Sequence, residues 1–308
     1  MRFLILVLTV PAVYCVEWTR VPNDWPVIGV LIQEFGPPNI SYIPSSYVKF
    51  VEAAGARVVP IHINRDGAYY QKILPQLNGV LFPGGSVGIE NSGYAIAGRV
   101  IFEYALRANQ RGEYFPLWGT CNGFEMLSFL AIDENVLTPC NAMNDPRPLK
   151  LTPYAKTSRL FGGLESDLLS HLTKENTTAN FHEYCLTMTN FTKYGISQYY
   201  DPLSTNHDID GLEYISSMEA KHYPFYAVQF HPEKNVFEWV NREGHSNIPH
   251  TEGAIEVAQF FARFFIDEAR KSNHRMPSDI FERESIYNFQ AEYTGHKSVF
   301  MQTYFFNE

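Results

Sequence analysis

Cys121 stands between two glycines in Gly119-Thr120-Cys121-Asn122-Gly123, after the apolar run Phe115 to Trp118 and before a helical pattern that begins at Phe124. Strand, sharp turn and helix in that order make a nucleophile elbow. Its flanking positions favour glycine because a Cβ there would clash, and its central side chain projects at the carboxyl end of a sheet. The turn aims backbone N–H groups, that of Asn122 among them, at the space above the sulfur. The helix N-terminus adds partial positive charge there, which favours a thiolate and a developing oxyanion. A lone cysteine is just as well a small buried hydrophobe, so the chemical reading needs partners. Ala227-Val228-Gln229-Phe230-His231-Pro232-Glu233 offers them. Ala227 to Phe230 reads as a strand, and His231 and Glu233, two positions apart at its end, project to one side if extended. Glu233 would then fix the tautomer of His231 while the other ring nitrogen faces Cys121, completing a Cys-His-Glu triad. No second histidine or cysteine stands near His231 at ligand spacing, so no metal centre is expected.

The elements that must position these groups alternate from Val27 onward. Strands are expected at Val27 to Ile32, Arg57 to Ile63, Gly79 to Phe82 and Phe115 to Trp118, and helices at Ser45 to Ala54, Tyr69 to Leu74 and Tyr94 to Asn109. Strands separated by helices predict an α/β fold: a doubly wound, mostly parallel sheet with helices on both faces. Sites in such sheets gather at strand carboxyl ends, where Pro83-Gly84-Gly85-Ser86 also falls. Gly85 or its neighbour is therefore expected to supply a second oxyanion donor, although the same residues also read as an ordinary Gly-rich turn. The second half is less regular, with strands expected at Leu149 to Thr152, Asp210 to Ser217 and Tyr226 to Phe230, and a closing helix at Thr251 to Lys271. An aromatic-rich tail runs from Ser272 and is expected to pack back on the body or to serve a subunit contact.

The 308 residues are 45% hydrophobic and carry a formal net charge of −9 with no Lys/Arg run, which argues against nucleic-acid binding. Residues 1–16 read as a secretory signal peptide, leaving a single domain over 17–308, and no later stretch is long and apolar enough for a membrane span. The triplets at Asn39, Asn176 and Asn190 are glycosylation acceptors in keeping with that route. Of the four cysteines, Cys15 leaves with the leader. Cys121, Cys140 and Cys185 remain, an odd number that suits one free thiol with or without a Cys140 to Cys185 bridge.

Together, Pro83-Gly84-Gly85-Ser86, Trp118 to Glu125, Asn180-Phe181-His182 and Gln229 to Glu233 resemble, in that order, the class I glutamine amidotransferase-like fold and, more narrowly, the gamma-glutamyl hydrolase family. The resemblance runs from about Pro26 to the tail. It implies Cys121 as nucleophile, His231 as acid/base, Glu233 as orienting acid, and an oxyanion hole from Gly85 and Asn122. His182, Glu125, Gly84 and Ser86 are implied to meet the substrate. The implied reaction is hydrolysis of folylpoly-γ-glutamates and related γ-glutamyl peptides through a thioester, without a cofactor, by a homodimer of the lysosome and the extracellular space. An imidazolium–thiolate pair is expected, with the thiol pKa lowered to roughly 3 to 4. Glu125 marks the hydrolase branch, because glutaminase elbows usually carry glutamine there. Two rival readings are a glutaminase releasing ammonia from glutamine and a non-catalytic glutamate-binding protein.

Overall fold

The computed structural model describes residues 22–36 and 39–307, so the expected leader at 1–16 lies outside the described residues. Its strands are β1 (Val27–Leu31), β2 (Gln33–Glu34), β3 (Ile40–Pro44), β4 (Arg57–Ile61), β5 (Gly79–Phe82), β6 (Leu117–Thr120), β7 (Thr138–Arg147), β8 (Lys150–Leu151), β9 (Thr178–Cys185), β10 (Tyr200–His207), β11 (Glu213–Ala220), β12 (Phe225–Val228), β13 (Ala291–Tyr293) and β14 (Gln302–Asn307). Four of its helices are α1 (Ser45–Ala53), α2 (Gly67–Ile73), α3 (Gly93–Gln110) and α4 (Asn122–Ile132).

The main sheet runs β4-β1-β5-β6-β12-β11-β10-β8. Its first five strands are parallel neighbours and its last three antiparallel. Each residue of β1, β5, β6 and β12 is buried, the pattern of strands covered on both faces. This is the expected mostly parallel α/β architecture. Its strand order decides the rest. β6 lies between β5 and β12, with Phe82 beside Gly119 and Val228 beside Thr120. The three motif-bearing segments therefore leave the sheet side by side, although nearly 150 residues separate the first from the last.

Behind the elbow strand, the Trp118 ring packs against Phe261 and Phe265 of the helix Glu252–Arg270, with centroids 6.0 and 5.8 Å away. Thr251 Oγ1 caps that helix by accepting from the Ala254 N–H. β6 extends two residues beyond the apolar run because Gly119 and Thr120 also pair with β12. The tail folds back: β14 lies antiparallel on β3 in a second sheet of order β13-β14-β3-β2. A third pair, β7 with β9, is cross-linked by a disulfide between Cys140 and Cys185. Among the described residues, no helix is long and apolar enough to cross a membrane.

Candidate active site

Cys121 adopts φ 51° and ψ −108°, a backbone conformation that side chains rarely take, between the last residue of β6 and the first of α4. The glycines around it serve closeness: neither has a positive φ. A Cβ on Gly123 would overlap the carbonyl of Phe82, and one on Gly119 would run into the Gly123 backbone. Cys121 N–H donates to the Val228 carbonyl over 2.9 Å, tying the elbow to the end of β12. The thiol points at the Phe181 carbonyl, 3.9 Å away on β9.

His231 and Glu233 leave β12 as expected and meet each other, Nδ1 to Oε1 at 2.7 Å, both buried. The His231 N–H donates to the Ala179 carbonyl, also on β9. Tyr47 on α1, which sequence reasoning misses, puts its hydroxyl 3.2 Å from the same Nδ1. A methyl added to Gly84 would lie 2.6 Å from His231 Cε1 and 3.0 Å from Cys121 Cβ, so the ring edge and the nucleophile's stem face each other across that glycine.

Burial is the leading influence on both groups. It pushes the Cys121 thiol up, helped by the nearby Glu125 and Glu233 charges and opposed by the Asn122 N–H and by Lys234. It pushes the His231 imidazole down, against the pull of Glu233. Both shifts favour a neutral thiol beside a neutral imidazole over the ion pair expected from the motifs.

The Gly-rich turn divides its N–H groups. Gly84 N–H donates to the Tyr47 hydroxyl over 2.8 Å and is not offered to a ligand. Gln33 Nε2 donates to the carbonyls of Pro83 (3.0 Å) and Gly84 (3.3 Å), and its side chain fills the space where a Gly85 Cβ would sit. A trans peptide sets N–H opposite to C=O, so the Gly85 N–H points away from Gln33. Gly85, Ser86, Cys121, Asn122, Glu125 and His182 all line one cavity of about 890 Å³, whereas Gly84, His231 and Glu233 are not among its lining residues. Asn122 Nδ2 donates to the Val87 carbonyl, joining the two oxyanion-side segments. Gln33 had a readable signal, since it is a polar residue directly after the apolar run Val27 to Ile32, at the carboxyl end of a strand. Tyr47 had none, because a tyrosine on an apolar helix face reads as core. Lys234 also went unread: it lies buried between the Phe181 and Phe300 rings, 5.2 and 4.8 Å from their centroids.

Glu125, one helical turn beyond the elbow, accepts from Gln229 Nε2 over 3.0 Å, and burial pushes its carboxyl up to about 8. An unfolded glutamate titrates near 4.5. Between those values the unfolded chain releases a proton that the folded chain keeps, so stability falls as pH rises and levels off above about 8. Glu125→Gln removes that loss and is expected to stabilise the fold by about 3 kcal/mol at pH 7 and by almost nothing at pH 4. Urea unfolding at the two pH values checks this, and equal differences at both would mean that the buried carboxyl is ionised.

Among the acceptor triplets, Asn39 and Asn176 are exposed. The amide nitrogen of Asn190 is already engaged with the Val136 carbonyl (2.7 Å) and Thr138 Oγ1 (3.1 Å), so a glycan there would displace both contacts.

Fold and site together define a cysteine hydrolase of the class I glutamine amidotransferase-like type. Residues 26–233 match the family model of Peptidase C26, and the chain belongs to that family. It is 43% identical over 290 residues to gamma-glutamyl hydrolase of Rattus norvegicus, covering 92% of this chain and 90% of that one. It is 40% identical over 289 residues to gamma-glutamyl hydrolase of Homo sapiens, with the same coverage. Gamma-glutamyl hydrolase B of Dictyostelium discoideum is 37% identical over 92% of this chain and 84% of its own. A solved glutamine amidotransferase from Thermotoga maritima aligns over 80% of this chain and 99% of its own at 10% identity, with a TM-score of 0.44.

Proposed function

We propose that this chain hydrolyses γ-glutamyl amide bonds through a thioester on Cys121, with folylpoly-γ-glutamates and related γ-glutamyl peptides as substrates. The observation that carries the reading is the convergence of Cys121, the His231–Glu233 pair and the Gly85 turn at three neighbouring strand ends, in a chain that aligns over nine-tenths of its length with gamma-glutamyl hydrolases.

Glu233 accepts from His231 Nδ1–H, which leaves Nε2 as the base. Rotation about the Cys121 side chain carries the sulfur from the Phe181 carbonyl toward the ring. His231 takes the thiol proton as the sulfur attacks the γ-carbonyl carbon, so the charged pair exists only during the reaction. Asn122 and Gly85 N–H groups hold the oxyanion. His231 then protonates the leaving nitrogen as the C–N bond breaks, and water, with His231 as base, hydrolyses the thioester. No lysine or arginine lines the cavity among the described residues, whereas Glu90, Glu125 and Glu183 do. Substrate carboxylates therefore rely on neutral donors such as Ser86, Asn91 and Asn135.

A lysosomal or secreted setting agrees with the leader-like residues 1–16, with the exposed acceptors Asn39 and Asn176, and with the disulfide. Homodimerisation belongs to the same reading, and sedimentation equilibrium reads it. Incubation with a pteroyl tri-γ-glutamate should yield shortened products by mass, while an α-linked triglutamate stays intact. Ammonia release from free glutamine with the conjugate untouched would instead make the chain a glutaminase.

A further inference from the structure

We propose that reduction of the Cys140–Cys185 bridge converts its two sulfurs and His182 into a zinc site that closes the cavity beside Cys121. The inference concerns binding by these three residues and does not depend on which amide the enzyme cleaves.

His182 is buried on β9, and its Nδ1 lies 3.6 Å from the sulfur of Cys140 and 3.6 Å from that of Cys185. In a tetrahedral zinc centre, with Zn–S about 2.3 Å and Zn–N about 2.0–2.1 Å, the nitrogen-to-sulfur edge is about 3.6 Å. The ring is thus already at ligand distance from both sulfurs, which only have to part. All three ligands come from the paired strands β7 and β9, so the scaffold that holds them is one ladder.

The opposite side of the ring is also set. Asn180 commits its amide nitrogen to the carbonyls of Asp145 (3.0 Å) and Thr178 (3.3 Å), which turns its oxygen toward His182 Nε2 at 3.4 Å. An acceptor there calls for a proton on Nε2 and leaves the Nδ1 lone pair facing the Tyr184 carbonyl at 3.0 Å. A neutral imidazole has one N–H, and here it meets an acceptor oxygen on each side. Whichever tautomer forms, one nitrogen lacks a matching partner. A cation at Nδ1 supplies the missing partner. Metal-bound histidines characteristically donate their other N–H to a fixed oxygen, as Nε2 would to Asn180. His182, Glu183 and Tyr184 line the same cavity as Cys121, which gives the ion an entry and makes its presence there an obstruction.

The chemistry balances. A dithiol reductant transfers two electrons and two protons to the bridge, leaving two protein thiols and ending as its own disulfide. A trialkylphosphine does the same with water as the oxygen and proton source, ending as the phosphine oxide. Zinc then displaces the two thiol protons.

The test uses the full chain carrying Cys121→Ala and Cys15→Ala, which leaves only Cys140 and Cys185, reduced with a trialkylphosphine and dialysed against zinc. One zinc per reduced chain and none per oxidised chain is expected. His182→Ala should weaken binding by more than about 100-fold and Asn180→Ala by about 10- to 100-fold. Cobalt in place of zinc should give a thiolate charge-transfer band that His182→Ala removes. In the active chain, the reduced form should be inhibited at zinc concentrations at least about tenfold below those needed for the oxidised form. Zinc uptake by the oxidised chain, no uptake by the reduced one, uptake indifferent to His182→Ala, or equal inhibition of both forms would overturn the proposal. If reduction loosens the fold, recovery of the near-ultraviolet dichroism with one equivalent of zinc supports it and failure to recover overturns it.

Discussion

Cys121→Ala is expected to lower turnover of γ-glutamyl substrates by about 10⁵- to 10⁶-fold, the scale of removing a nucleophile whose partners cannot act without it. Stability should change by less than about 1 kcal/mol, for reasons visible at the elbow. The thiol is neutral at rest, because burial raises its pKa, so its removal strands no buried charge. Its one side-chain hydrogen-bond acceptor among the described residues is the long contact to the Phe181 carbonyl. Alanine keeps the Cβ, so the φ 51° conformation is strained to the same degree in both proteins. The remaining cysteines among the described residues are bridged, so no other free thiol there can substitute. Single-turnover assays with thermal unfolding on the same samples separate the two effects. Turnover within tenfold of wild type would remove the thiol from the mechanism.

Much of this arrangement is legible in residue order, and the exceptions have physical causes. β5 is found where the apolar run ends in Pro83-Gly84-Gly85, and its adjacency to β6 follows from consecutive parallel strands, whereas β12 reaches β6 only through long-range pairing that residue order does not reveal. β7 is not visible in sequence: Pro139 and Pro146 break its apolar pattern, and its order comes from pairing with β9 and from the disulfide. β14 reads as tail because its partner β3 lies more than 250 residues earlier. Burial shifts Cys121 and His231 away from the ion pair expected, since motif spacing carries the attraction between groups but not the loss of water around them. Gly84 and Gly85 look equivalent in sequence. They part only when Tyr47 and Gln33 arrive from elsewhere in the chain to claim one N–H and to orient the other.

That division makes Gly84→Ala a sharp test of the site. The added methyl would meet three fixed neighbours: His231 Cε1 at 2.6 Å, the Tyr47 hydroxyl at 2.6 Å and Cys121 Cβ at 3.0 Å. None is the loose end of a flexible side chain. His231 is held by Glu233 and by its own N–H to Ala179, Tyr47 by the Gly84 N–H, and Cys121 by the elbow. Either the ring retreats and the base leaves the sulfur, or the turn retreats and takes the Gly85 N–H out of the oxyanion hole. A misplacement of about 1 Å costs about 10²-fold, and loss of one oxyanion donor about 10²- to 10³-fold, so with either retreat kcat/KM is expected to fall at least about 10²-fold. Overpacking should destabilise by about 1–3 kcal/mol, leaving a folded protein to assay. Alkylation of Cys121 by iodoacetamide distinguishes the two retreats, because it needs the imidazole to take up the thiol proton but no oxyanion hole. Slowed alkylation points to the ring, and unchanged alkylation with lost turnover points to the turn. A variant whose kcat/KM stays within about threefold of wild type would show that the Gly84 backbone can yield at no loss, and that the packing of thiol, imidazole and glycine does not limit the reaction.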